Sequence, residues 1–249
     1  MPNHIHDGAM SFLDHIRELR RRLILSVLAV VAGSIVGFIF YKDYQPALFA
    51  PLGDLADFKY HTLQAPFMMM VKISFYFGIL ASIPVHLYNI VAFLLPAMTG
   101  RERRMGAYLL PASTILALAG AGMAYFYVVP WAVGFLESDG FNPTNIGKVN
   151  NMDDALKMII QTLLAFIFLL QTPLLLIILM ALNIVSRKTL WRSSRYAIVG
   201  IFILAAVVTP PDLPSQLALA VPLIFLYFMA IVVAKLFGFG NDPNATESN

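Results

Sequence analysis

The sequence predicts an all-α membrane protein with six transmembrane helices and both termini on the cytoplasmic side. Three observations carry this expectation. Hydrophobic residues make up 59% of the 249 positions and charged residues only 12%, the apolar residues fall in long runs, and the basic residues gather in alternate connections between those runs.

Four apolar runs, 23–40, 73–95, 108–129 and 158–182, have roughly the ~20 residues a membrane-crossing helix needs. Two shorter runs follow, 197–208 and 217–233, joined by Thr209-Pro-Pro-Asp-Leu-Pro-Ser-Gln216. At a 1.5 Å rise the first of these reaches about 18 Å, against a hydrocarbon core of ~30 Å. The pair is therefore either a re-entrant hairpin or two short spans whose outer tip is recessed in a thinned bilayer. The second arrangement is favoured and gives six spans in a single domain, 1–236. The polar remainder, 237–249, is expected to be disordered.

Orientation follows from lysine and arginine. With six spans, Arg17 and Arg20 to Arg22, Arg101 with Arg103 and Arg104, Arg187, Lys188, Arg192, Arg195 and Lys235 all fall on one side, against Lys42, Lys59 and Lys148 on the other, with Lys72 and Lys157 at span ends. Excess positive charge marks the cytoplasmic side. The polar first residues lead into a span too long for a cleavable signal segment, so that span is expected to serve as the targeting signal. The outer loops, aromatic and proline-rich in the first case and acidic in the third (Glu137, Asp139, Asp153, Asp154), can form an outer cap.

Chemistry is sparse. The chain has no cysteine, which removes disulfides, thiolate metal sites and cysteine nucleophiles. It also lacks an HExxH helix, a GxSxG elbow and a Walker A loop. No enzyme activity, cofactor or metal is expected, and no nucleic-acid partner.

Two glutamates stand out, each inside an arginine cluster at the edge of a span: Glu18 in Ser11-Phe-Leu-Asp-His-Ile-Arg-Glu-Leu-Arg-Arg-Arg-Leu23 and Glu102 in Arg101-Glu-Arg-Arg104. Paired carboxylates suit a ligand bearing arginines, because guanidinium and carboxylate pair bidentately. Local structure explains them as well. Ser11 with Asp14, and Thr99 with Glu102, fit capping boxes, while Arg21 and Arg22 lie at i+3 and i+4 from Glu18, where a surface ion pair contributes only ~0.3–0.5 kcal/mol. Spacing leaves both sites open. Phe12, Ile16, Leu19 and Leu23 form one apolar stripe, which predicts an interfacial segment that turns before entering the first span.

Polar residues within spans are costly and often functional. His86 is a candidate proton relay or a histidine bonded to a neighbouring helix. Gln171, two residues before Pro173, is a candidate for contact between helices or for a polar spot facing a groove. Gly33-x-x-x-Gly37 permits close helix approach, within the bundle or in a dimer.

Four motifs in order resemble the TatC family, the multi-spanning signal-peptide receptors of the twin-arginine protein translocase. They are Phe12-Leu-Asp-His-Ile-Arg-Glu-Leu-Arg-Arg-Arg-Leu23; Ala50-Pro-Leu52; Ser82-Ile-Pro84 continuing through Tyr88 and Phe93-Leu-Leu-Pro96 to Glu102-Arg-Arg104; and Thr209-Pro-Pro-Asp212 leading to Ser215-Gln216 and Pro222. The resemblance runs from about Phe12 to Lys235. It implies a glove-like curved bundle with short fifth and sixth helices in the cytoplasmic (inner) membrane of a prokaryote. It also implies that Glu18 and Glu102 bind the twin arginines of folded cargo's signal peptides. Arg17, Leu19, Arg20 and Arg103 then belong to the same patch, with Phe93 and Pro96 at its rim. Pro51, Gln171, Thr209, Asp212 and Gln216 match positions linked to assembly, transport or contact with single-span TatA/TatB-type partners, in a complex within which the chain can self-associate amid membrane lipid. The chain departs from the family in having Gln171 where many members carry glutamate, and Leu226-Tyr-Phe228 where the sixth span often reads Leu-Tyr-Glu or Leu-Phe-Glu. The implied mechanism is recognition without catalysis, with resident arginines competing for the carboxylates. The rival reading is a proton-coupled small-solute transporter using His86, Gln171 and Lys72.

Overall fold

In the computed structural model, residues 12–53, 58–94, 100–136, 138, 150–209 and 213–240 are described, and every structural statement concerns these. The first helix, α1 (Phe12–Ile39), runs unbroken for 28 residues, about 42 Å at 1.5 Å per residue. The expected turn between an interfacial segment and the first span is therefore corrected to one continuous helix. The reason is local: within α1 no glycine or proline occurs before Gly33, and ion pairs Asp14–Arg17 and Glu18–Arg22 brace successive turns at the polar end.

After α1 come α2 (Tyr41–Phe49) and a single 3-10 turn, Ala50–Leu52, that ends at Gly53 with φ 76°. The long α3 (Ala65–Leu94) starts eight residues before the expected boundary. The third span combines α4 (Gly100–Met123), a five-residue π-helical stretch and α5 (Val129–Leu136). Pro130 has no N–H to return to the preceding turn, and a widened turn accommodates that loss. A break at Leu170–Gln171, just before Pro173, divides the fourth span into α6 (Met152–Leu169) and α7 (Thr172–Ala181). Short α8 (Arg187–Arg192) leads to α9 (Ser194–Val208) and α10 (Leu213–Phe237). Two-residue strands β1 (Phe58–Lys59) and β2 (Asn150–Asn151) pair in parallel and tie together the loops that follow α2 and precede α6.

Five segments are long and apolar enough to cross a membrane: Asp14–Ile39, Ala65–Phe93, Tyr108–Leu136, Met152–Ala181 and Leu213–Phe237. The 15 residues of α9 reach only about 22 Å. The expectation of a short sixth helix is corrected, because α10 has 25 residues. Hydropathy located only its apolar centre, whereas the helix also takes in Leu213-Pro-Ser-Gln216 at one end and Ala234–Phe237 at the other. The ordered fold also passes the expected boundary at 236. Phe239 is buried, and the Arg187 N–H donates to the Gly240 carbonyl at 3.1 Å.

The main core joins α6 and α10 to the cap: Phe49 and Leu52 pack with Val128, Val129, Met152, Leu156, Phe166, Leu219 and Leu223. By contrast, α1 packs chiefly on α3 and leaves Leu23, Val27, Leu28, Val31, Ile35 and Ile39 exposed, as expected of a helix surrounded by lipid. Small residues allow the α1–α3 contact. A Cβ on Gly78 would lie 2.5 Å from the Val30 carbonyl oxygen, and one on Gly33 would lie 3.0 Å from Gly78 Cα. The glycine pair of α1 thus serves packing within the bundle.

Candidate functional site

One face of α1 carries His15, Glu18, Arg22 and Ser26, at the spacing that keeps residues aligned along a helix, and this face meets the end of α3. His15 stacks on Phe93 with ring centroids 4.2 Å apart. Farther along, Asn89 Nδ2 donates to Ser26 Oγ at 2.9 Å. Glu18 lies between these two anchors, part-buried. Arg22 Nε donates to Glu18 Oε1 at 2.9 Å, and Arg22 Nη2 turns to the same oxygen. Among the described residues nothing engages Oε2. The carboxylate is therefore held in position but half occupied.

Its sequence neighbours point elsewhere. Arg17, with four-fifths of its side chain exposed, reaches back to Asp14 at 3.3 Å, and Leu19 and Arg20 are exposed. Glu102 and Arg103 lie in the first turn of α4, but their side chains are outside the described residues, as are Ser11, Pro96, Thr99 and Asp212. The structure thus brings Glu18 and Phe93 to one place through His15. Two members of this group, His15 and Asn89, were absent from the sequence-based candidates, whereas spacing already puts Arg22 at i+4 from Glu18. Asn89 is 94% buried within a span, so the criterion that selected His86 and Gln171 applies to it equally.

A second polar group occupies the interior. His86 and Gln171 line one cavity of about 220 Å³ among α3, α4, α6 and α7, with otherwise mostly aliphatic walls. Gln171 Nε2 donates to the Ser113 carbonyl on α4 at 3.0 Å, an interhelical bond across the break that precedes α7. His86 finds its partner on its own helix rather than a neighbouring one: Nε2 lies 3.1 Å from Ser82 Oγ, whose hydroxyl donates to the Ile79 carbonyl at 2.9 Å. That chain assigns the proton to Nε2 and leaves Nδ1 as a buried acceptor without a partner. Lys72 is remote from both, bonded to Asp153 at 2.8 Å where α3 and α6 begin.

The remaining candidates surround the α9–α10 connection and the cap. Thr209 is buried and its hydroxyl donates to the Ala205 carbonyl at 2.8 Å, while Gln216 Nε2 donates to the Phe202 carbonyl at 3.1 Å. Pro51 lies within the 3-10 turn beneath which Leu52 enters the core. Phe228 packs edge-on against Trp191 of α8, centroids 5.6 Å apart. An aromatic contact thus stands where the family often has a carboxylate. Among the described residues no cluster of His, Cys, Asp or Glu is suited to a metal.

The family model described as Sec-independent protein translocase protein (TatC) matches residues 14–222. The chain is 33% identical over 234 residues to TatC of Halothiobacillus neapolitanus, covering 92% of this chain and 63% of that relative's length. It is 32% identical to TatCy of Bacillus subtilis, covering 91% and 89% of the two chains. The fold superposes on a crystal structure of the twin-arginine translocase receptor TatC with a TM-score of 0.75 and 31% identity, over 90% of this chain and 99% of that one. With the family model matching most of its length and relatives above 30% identity along nearly all of it, the chain belongs to the TatC family of multi-pass membrane proteins, which are protein-translocase components and not enzymes.

Proposed function

We propose that this chain is the receptor subunit of a twin-arginine translocase in the cytoplasmic membrane of a prokaryote. In this reading α9 is a sixth, short span and both termini face the cytoplasm, which the gathering of basic residues in alternate connections supports. Glu18 and Glu102 bind the arginine pair of a folded cargo's signal peptide, with Phe93 and the basic residues Arg17, Arg20 and Arg103 around them. Single-span partners of TatA/TatB type assemble along α9 and α10, near Thr209, Asp212 and Gln216.

The observation that carries this reading is the half-occupied Glu18 carboxylate. Oε1 already accepts a guanidinium, so the site tolerates arginine geometry, and Oε2, which no described residue engages, takes the first contact of the incoming guanidinium before it displaces Arg22. Exchange of one charge-assisted pair for another removes most of the desolvation cost of binding. The surrounding arginines repel a cationic peptide, so affinity arises from close, planar contact rather than long-range attraction. Support for the transporter reading is weaker: His86 and Gln171 share a cavity, but Lys72 is bonded to Asp153 well away from them.

Photo-crosslinking of a twin-arginine peptide in nanodiscs tests the proposal. Probes at residues 17 and 93 should capture the Arg-Arg peptide, and Glu18→Gln or Glu102→Gln should abolish capture. Undiminished capture by both variants would rule the proposal out. Proton-driven solute flux in liposomes holding this chain alone, lost in His86→Ala, would favour the rival.

A further inference from the structure

A groove of about 440 Å³ runs along the outside of α6, between Tyr76 of α3 and Val208 at the end of α9. α9 lines it only with its last residue. Gln161 Nε2 donates to the Val208 carbonyl at 3.2 Å, so the tip of α9 lies beside the tenth residue of α6, about 14 Å below that helix's start at 1.5 Å per residue. From that level to Phe168 the flank of α6 is bordered, among the described residues, by Tyr76 and Val208 alone.

The groove has two ends of different chemistry. At its mouth stand Lys157 and Gln161, both exposed; along its walls lie Leu164 and Ala165; at its far end is Phe168. Lys157 makes no ion pair among the described residues, since Asp153 is engaged by Lys72 and Asp154 does not line the groove. No charged residue follows Lys157 until Arg187. Lys157 therefore marks the level where hydrocarbon gives way to head groups. This level is on the side opposite Glu18: Phe93 and Asn89, near the end of α3, meet the Glu18 face of α1, whereas Lys72, near its start, meets Asp153. From Lys157 to Phe168 is eleven residues, about 16 Å of helix, close to half of the ~30 Å hydrocarbon core.

We propose that this groove is a binding site for one anionic phospholipid of the leaflet opposite Glu18. The phosphate sits on the Lys157 ammonium and the second amide N–H of Gln161, and one acyl chain runs past Leu164 and Ala165 to Phe168. A cation joined to an apolar channel one leaflet deep matches a lipid in charge and in length. A partner helix would continue across the bilayer, and Phe168 ends the groove at mid-depth. The site is independent of the signal-peptide reading and does not involve Glu18 or Glu102.

The test is native mass spectrometry of the full-length protein released from detergent with phosphatidylglycerol or phosphatidylcholine added. The wild type should retain phosphatidylglycerol about tenfold better. Lys157→Gln and Leu164→Trp, the latter filling the channel, should each remove that preference, while Lys157→Arg keeps it and Lys59→Gln, a charge lost on the same side, leaves it unchanged. A photo-crosslinker at position 161 in native membranes should capture phospholipid. Equal retention of the two lipids by the wild type, an unchanged preference in Lys157→Gln, an equal loss in Lys59→Gln, or capture of a single-span protein at 161 in place of lipid would each overturn the assignment.

Discussion

Arg22 and Glu18 are joined one turn apart on α1, with Arg22 Nε 2.9 Å from Glu18 Oε1 and both guanidinium donors aimed at that single oxygen. A receptor carboxylate already paired to an arginine is selective by competition, because a ligand must match the geometry it displaces. Arg22→Ala should therefore narrow the ratio of affinities for Arg-Arg and Lys-Lys peptides by about tenfold, chiefly by improving the weaker ligand, as one charge-assisted bond of ~1.5 kcal/mol implies. Isothermal titration in nanodiscs measures it; an unchanged ratio refutes the competition.

The stack of His15 on Phe93 orients the recess from the α3 side. Phe93→Ala should weaken twin-arginine peptide binding by three- to tenfold, in line with ~0.5–1.5 kcal/mol for an aromatic pair. Phe93→Tyr should retain binding, since the ring remains. Loss in both variants would point to a direct role for the apolar edge instead.

Where α1 crosses α3, Gly78 has no room for a methyl group, whereas a Cβ on Gly122 would meet nothing within 4 Å. Gly78→Ala should lower stability by about 1–3 kcal/mol, the usual range for overpacking. Gly122→Ala should be neutral or slightly stabilising. Thermal unfolding in detergent separates the two, and equal midpoints would contradict the described helix contact.

Gln216 holds α10 to α9 through the Phe202 carbonyl. Gln216→Leu should loosen that hairpin by about 1 kcal/mol, the scale of a hydrogen bond within the membrane. Gln216→Asn, too short to reach, should behave the same way. Faster amide exchange confined to α9 is the expected signature, and unaltered exchange there would speak against the bond's role.

Much of this architecture is legible in the sequence because hydropathy and proline act locally. The runs at 73–95 and 158–182 fall largely on α3 and on α6 and α7, and Pro173 marks the break beside Gln171. What sequence pattern left open is partly local and partly tertiary. The continuity of α1 rests on ion pairs along its own turns, and the full length of α10 on flanks that are less apolar than its centre. The bond from Gln171 to Ser113 joins residues 58 apart, which periodicity cannot indicate. For Glu18 the spacing was ambiguous by its nature: Arg22 at i+4 fits both a surface pair and a resident competitor, and both of its donors meeting one oxygen is compatible with either until peptide binding is measured. Asn89 was legible by its place in a span, yet its partner on α1 could only be found in three dimensions.

The central claim, that Glu18 is an exchangeable carboxylate for a ligand arginine, is tested most directly by a double-mutant cycle. Affinities of Arg-Arg and Lys-Lys peptides are measured for the wild type and Glu18→Gln. A coupling of about 1.5–3 kcal/mol between residue 18 and the peptide arginines is predicted, the range of a hydrogen bond to a charged group. Additive losses, with coupling below ~0.3 kcal/mol, would show that Glu18 does not contact the ligand's arginines and would contradict the account.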